Sequence, residues 1–288
     1  MFSQAKIFWL AKDAAHAEQY QDAFALDERR GVAAIADGVS SSLFSAQWAK
    51  IITQGVIAAP PDVRDPASLF PWLAAQRKAW NAQVDTDNLA WHQKAKLQQG
   101  AQATLLWVEV TPAAAGRARL KAFAVGDCLL FHARGSQNLR AFPIESSQLL
   151  ENNPHALCSI ESKNDQTLPF QVLEEDCQPG DLLVLCTDAV AAWALKALEE
   201  GATLLWRDFW NLSPDDWAEY VGRLRQEQRM RYDDATLMLL RVGDPAKARP
   251  GAGQLLADAK RKVHDVTDTV AESLSDFFGG FSSKRKGR

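Results

Sequence analysis

The chain has 288 residues, 47% of them hydrophobic and 24% charged, with a net charge of −4. That composition is globular and long enough for a large core, and it excludes wholesale disorder, collagen and a simple coiled coil. An acidic balance also lacks the basic face that a general nucleic-acid binder needs, so no nucleic-acid partner is expected.

Residues 5–11 and 22–36 read as strands, short apolar runs bounded by charge and by a turn at Glu28-Arg29-Arg30-Gly31. Ser41 or Ser42 is placed to N-cap a helix running to about Gln54, with Phe44, Trp48, Ile51 and Ile52 on one face. Pro60-Pro61 breaks the chain, and a second helical stretch covers about 66–97, a length that predicts an internal break. The period then changes to two. Segments 104–110, 118–125, 129–132 and 139–142 are short strands separated by Pro112, Gly116, Gly126-Asp127 and Gly135-Ser136, the pattern of an antiparallel meander. Residues 145–168 are polar and irregular, and read as a mobile surface loop. Strands resume at 170–173 and 182–186, helices follow at about 190–199, 203–210 and 214–229, and a last strand covers 235–242. Strands and helices are grouped rather than alternating, which predicts an α+β fold and not a doubly wound parallel sheet.

Composition shifts at 243, where the Pro/Gly-rich stretch 243–253 reads as a flexible linker between a domain at 1–242 and a tail at 254–288. In the tail Leu256, Ala259, Val263, Val266, Val270, Leu274 and Phe277 form one helical stripe, followed by the basic end Lys284-Arg285-Lys286-Gly287-Arg288. A partner protein for helix 254–278 is favoured over docking on the core or on a membrane surface. The cysteines at 128, 158, 177 and 186 make no Cys-x-x-Cys pair, so free thiols in a cytoplasmic protein are expected rather than a zinc ribbon. No secretory signal and no transmembrane segment is read in the sequence. The ten tryptophans read as core packing.

The acids that draw attention lie at strand ends: Asp37, Asp127, Asp188 and the pair Asp233-Asp234, with Asp22 ahead of Phe24. Taken singly, each is equally a turn, cap or surface residue. Together they share one placement. Clustered carboxylates repel and are costly to desolvate unless a cation compensates them. Oxygen-only ligands suit Mg²⁺ or Mn²⁺, and two such ions about 3.5–4 Å apart serve in-line phosphoryl displacement.

Six stretches, in order, carry a resemblance. They are Gln21-Asp22-Ala23-Phe24, Ala34-Ile35-Ala36-Asp37-Gly38, Gly100-Ala101-Gln102-Ala103-Thr104, Ala124-Val125-Gly126-Asp127-Cys128, Gly180-Asp181 leading to Thr187-Asp188, and Asp233-Asp234-Ala235-Thr236. This order resembles the motifs of the PPM-type, metal-dependent serine/threonine protein phosphatases, also called type 2C, with Gln21 as in bacterial members. The resemblance implies a central antiparallel β-sandwich flanked by helices on both faces, α-β-β-α. It implies that Asp37, Asp188 and Asp233 bind the first metal and are the catalytic residues. Asp37 would bridge to a second metal, which the Gly38 carbonyl also binds, with Asp22 in its outer sphere. Asp127 resembles a ligand of the third, weaker metal of some members. The implied cofactors are two Mn²⁺ or Mg²⁺ ions, and the implied reaction is attack on phosphorus by a metal-bridging hydroxide. The implied partners are phosphorylated proteins and a cognate Ser/Thr kinase or its targets.

Departures from the family keep a second reading open, a catalytically weak PPM-like domain that binds or scaffolds phosphoproteins. Ala17 stands where the family often has a phosphate-clamping Arg, with Lys12, His16 or Arg30 as candidate substitutes. Val39-Ser40-Ser41-Ser42 follows Gly38 in place of His or Gly-Gly, which removes the general acid of some members. Ala189 replaces a glycine and requires a negative φ there.

Overall fold

The computed structural model describes residues 1–63, 66–85, 89–150, 154–164 and 167–244. In chain order these form β1 (Phe2–Leu10), β2 (Ala23–Asp27), β3 (Val32–Ala36), α1 (Ser45–Ala58), α2 (Pro66–Gln83) and α3 (Trp91–Leu97). There follow β4 (Gln102–Ala103), β5 (Leu105–Pro112), β6 (Ala118–Val125), β7 (Leu129–Arg134), β8 (Gln137–Phe142), β9 (Leu157–Cys158), β10 (Gln171–Cys177) and β11 (Leu182–Cys186). Helices α4 (Asp188–Glu199) and α5 (Pro214–Gln226) precede β12 (Ala235–Val242).

Two five-stranded antiparallel sheets result, ordered β1-β12-β11-β7-β8 and β10-β6-β5-β3-β2. Central strands such as β3 and β11 are apolar on both sides because both faces are covered. In β3, Ala33 and Ile35 join the core between the sheets with Leu106, Leu183, Leu185 and Met238. Val32, Ala34 and Ala36 turn the other way, onto Trp48, Ile52, Leu69 and Leu73 of α1 and α2. Val184 and Cys186 of β11 turn outward onto Trp193, Trp206, Trp217 and Val221 beneath α4 and α5. Three apolar layers between four structural layers are the expected α-β-β-α sandwich. Trp48, Trp107, Trp206 and Trp217 are fully buried, as core packing requires, whereas Trp9 and Trp91 are exposed.

Three expectations need correction. Helix α1 starts at Ser45 behind Phe44, whose φ of 61° is left-handed, with no side-chain cap; Ser42 instead donates to the Val39 carbonyl and accepts from the Gln102 N–H. The stretch 203–210 forms only a 3₁₀ segment, Trp206–Asn211. The span 145–168 is not simply a surface loop. Leu157, Cys158, Ser159 and Asn164 are buried, β9 pairs with β4, and Trp48 Nε1 donates to the Leu157 carbonyl at 2.8 Å.

No helix among the described residues is long and apolar enough to cross a membrane. The compact unit that contains the described residues is Met1–Lys247. The readings of a linker beyond 244 and of a helix at 254–288 lie outside the described residues.

Candidate active site

Antiparallel pairing brings the acidic loops to one end of the sandwich. Ala36 ends β3 opposite Ala23, Val125 ends β6 opposite Leu105, and Cys186 ends β11 opposite Leu129 and Leu237. The loops leaving these strands carry Asp37, Asp127 and Asp188, and those entering β2 and β12 carry Asp22 and Asp233.

Asp37 is the electrostatic centre. Burial pushes its carboxyl well above the usual range, and Asp22, Asp188, Asp127 and Asp233 push it further. Asp22 is 6% exposed. Its Oδ2 accepts hydrogen bonds from Thr236 Oγ1 at 2.6 Å and Thr187 Oγ1 at 2.9 Å, while its Oδ1 is buried with no hydrogen-bond partner. Burial raises the Asp22 carboxyl despite the Thr236 hydroxyl, with Asp234 and Asp188 adding repulsion. Burial and then Asp233 raise the Asp188 carboxyl, opposed by Arg231. Arg231 Nη1 donates to Asp188 Oδ2 at 3.2 Å, and Lys12 Nζ lies 3.8 Å from Asp233 Oδ1.

The frame around these acids is tightly tied. A Cβ on Gly38 would meet the Gln21 carbonyl at 2.7 Å, so only glycine fits between Asp37 and α1. Gly126 has φ +93°, and a Cβ there would meet Thr104 Cγ2 at 2.5 Å. Thr104 in turn accepts the Asp37 N–H through Oγ1 at 3.2 Å. Asp234 is 4% exposed and accepts the Lys12 and Gln21 N–H groups, each at 2.7 Å. It thereby binds the end of β1 and the Asp22 loop to β12. Arg225 donates to the Asp233 carbonyl and, at 3.4 Å, to the Lys12 carbonyl. Ala189 lies in the first turn of α4 and is not among the positive-φ residues, so the loss of glycine is tolerated. Beside Asp127 opens a cleft of about 260 Å³ that Leu149, Pro154 and His155 also line, so part of the 145–168 span borders the site.

Ala17 lies exposed in the 3₁₀ segment Ala14–Gln19. Of its candidate substitutes only Lys12 reaches the acids. His16 faces Asp13 at 2.7 Å, and Arg30 donates to the Ile57 carbonyl. Arg231, Asp234 and Thr236 do work at this site that sequence reasoning did not assign to them. The one available signal was their place around Asp233.

Among the described residues no three His, Cys, Asp or Glu side chains close into a compact metal-holding group. Bare carboxylates repel, and internal donors tie several of them: Arg231 at Asp188, Lys12 near Asp233, and the threonine pair on Asp22. The donor set still fits a hard divalent cation. It is all oxygen, the Asp22 and Asp37 carboxyls are strongly raised, and the buried Asp22 Oδ1 is unbonded.

A four-layer sandwich with acidic loops at one end is the arrangement that the resemblance to PPM-type phosphatases implied. The family profile "Protein phosphatase 2C" matches residues 13–232, about three-quarters of the chain, stopping one residue before Asp233. The chain therefore belongs to the protein phosphatase 2C family, metal-dependent protein serine/threonine phosphatases. Among solved structures it is similar to the photosystem II phosphatase PBCP, with TM-score 0.52 and 16% identity over 83% of this chain and 98% of that one. It is also similar to the Mycobacterium tuberculosis phosphatase PstP/Ppp, with TM-score 0.51 and 15% identity over 83% and 98%. A PstP catalytic domain holding two manganese ions matches with TM-score 0.50 and 16% identity over 84% and 98%. At such identities the likeness is one of fold. No curated protein sequence matches the chain.

Proposed function

We propose that this domain hydrolyses phosphoserine and phosphothreonine in proteins, using two Mn²⁺ or Mg²⁺ ions. Asp37, Asp188 and Asp233 would hold the first ion, Asp37 and the Gly38 carbonyl the second, with Asp22 in the outer sphere and Asp127 at a weaker third position. The observation that carries this reading is the half-buried Asp37, whose carboxyl is pushed up by desolvation and by the charges of Asp22, Asp188, Asp127 and Asp233. Such a cluster, when ionised, is stabilised by added positive charge. Bound divalent cations would supply that charge and acidify water enough to yield a nucleophile near neutral pH.

The chain's own residues do the positioning. Thr187 and Thr236 fix Asp22 so that its Oδ1 stays available. Asp234 holds the Lys12 and Gln21 backbone. Lys12 and Arg231 supply the cationic attraction for phosphate that Ala17 does not. Lys12→Gln and Arg231→Gln are each expected to raise KM for para-nitrophenyl phosphate roughly three- to tenfold, with a smaller change in kcat. Steady-state kinetics at saturating Mn²⁺ checks this, and an unchanged KM in both variants removes the assignment. A cytoplasmic site of action, on targets of a Ser/Thr kinase, is consistent with four buried free cysteines.

The direct test is hydrolysis of para-nitrophenyl phosphate and of a phosphothreonine peptide, with Mn²⁺ and with excess EDTA. Turnover only with metal is expected. Phosphopeptide binding without any metal-stimulated turnover would favour the scaffolding reading, to which Ala17 and the altered residues after Gly38 lend weight.

A further inference from the structure

The acids lie beside a second, basic feature. Helix α4 begins at Asp188, and Ala192 and Lys196 follow at intervals of four, on the same helical face. The segment after α5 lays Gln228 to Tyr232 alongside. Between them opens a cleft of about 510 Å³, lined by Trp193, Lys196, Arg225, Arg229, Arg231 and Tyr232 among others, and none of its lining residues is acidic. Lys196 and Arg229 are exposed, and Tyr232 is 69% exposed. Arg225 faces inward to backbone carbonyls and stacks on Tyr232 at 5.4 Å. Two of the nearby acids are engaged, one of them by a cation of this cleft. Glu199 accepts from the Ser146 hydroxyl and from the Ser147 hydroxyl and N–H, and Glu227 pairs with Arg229 at 3.2 Å. Arg231 belongs to both places, since it lines the cleft and bonds Asp188.

We propose that this cleft is a substrate subsite for a second anionic side chain, a carboxylate or a phosphate, on the phosphoprotein being dephosphorylated. The proposal rests on the phosphatase reading and narrows its substrate class. The spacing sets the position of that group. Asp188 and Lys196 are eight residues apart, about 12 Å along the helix at 1.5 Å per residue. An extended peptide covers that distance in about three to four residues at 3.3 Å each. The favoured substrate therefore carries an acidic or phosphorylated residue three or four positions from the reacting phosphothreonine. The cationic wall attracts it electrostatically, in a salt-dependent way.

The test uses phosphothreonine peptides that differ only at that flanking position, which holds Asn, Asp, phosphoserine or Lys. The full chain is loaded with Mn²⁺, and both kcat/KM and fluorescence anisotropy are read at low and high salt. Wild type is expected to favour Asp over Asn by roughly five- to tenfold at low salt, and phosphoserine by more. The asparagine, aspartate and phosphoserine arms separate a carboxylate source from a phosphate source. In the charge-reversed double variant Lys196→Glu/Arg229→Glu the ranking should invert toward the lysine peptide. The same ranking in wild type and variant, or no ranking at low salt, overturns the subsite. Ranked and invertible binding without turnover keeps the subsite and overturns the hydrolytic reading. Turnover with a flat ranking does the reverse.

Discussion

Asp37→Asn is expected to lose Mn²⁺-stimulated hydrolysis by about 10²-fold or more and, at the same time, to raise the melting temperature of the metal-free protein. The two effects have one cause. The Asp37 carboxyl is pushed up by burial and then by four neighbouring carboxyls, so its charge opposes folding until a cation arrives. An amide keeps the shape and removes the charge. The backbone anchors, Asp37 N–H to Thr104 Oγ1 and Thr104 N–H to the Asp37 carbonyl at 2.9 Å, are untouched. In a chain of this size each kcal/mol of relief moves Tm by about 2–4 °C. The pH dependence has a definite sign. An acid whose folded pKa is raised destabilises the fold when ionised, so wild type in EDTA gains stability as pH falls through the raised range. The variant lacks that part of the slope. Calorimetry in EDTA and turnover with Mn²⁺ check both halves, and a lower Tm for the variant in EDTA would mean that the carboxylate holds the fold together.

The second large effect concerns His132, away from the acidic cluster. It lies on β7, 2% exposed, with Nδ1 at 2.6 Å from Glu175 Oε1 and Nε2 at 2.9 Å from Asp181 Oδ2. Carboxylates only accept, so both ring nitrogens must donate and the ring is charged. Burial alone would lower its pKa, but the bonds to Asp181 and Glu175 outweigh burial and push it up to about 9. Arg134 holds Asp181 through two bonds, at 2.7 and 2.8 Å, and Arg140 reaches Glu175 at 3.2 Å. The network thus joins the sheet containing β7 to β10 of the other. Because the folded pKa lies above the unfolded value of 6.5, the stabilisation is fully present below pH 6.5 and lost by about pH 9. A shift of that size is worth on the order of 3 kcal/mol. The Met1 amine runs the other way, since burial lowers it to about 6. The difference between wild type and His132→Gln, not the Tm of either, therefore isolates the histidine. His132→Gln is expected to cost about 3–5 kcal/mol near pH 6, because two acids lose their shared cation, and less near pH 9. A pH-independent difference in urea unfolding would show that the ring acts by packing alone.

Much of this was legible in the chain. Strands 118–125, 182–186 and 235–242 were read to the residue, because apolar or alternating runs bounded by turn and charged residues permit little else. The helix starts were less legible. Ser41 and Ser42 offered a conventional cap, yet the chain turns through Phe44 in a left-handed conformation. The 145–168 span misled for a similar reason. Its polarity reads as surface, but Asn164 is buried as a bonding partner, with Oδ1 accepting from the Cys158 N–H at 2.5 Å and Arg77 Nη2 at 3.4 Å.

The sequence by itself determined the fold class, the strand ends on which Asp22, Asp37, Asp127, Asp188 and Asp233 sit, and the family these positions imply. Those features are local, set by hydrophobic period and turn chemistry over a few residues. Only the tertiary structure decided which cations meet those acids. Lys12 and Asp233 are at opposite ends of the described chain, and Arg231 meets Asp188 across the gap between a loop and a helix. Such pairings depend on the register of the two sheets and on how α4 and α5 pack over them. Burial then sets their strength, since the same charges in water would scarcely interact.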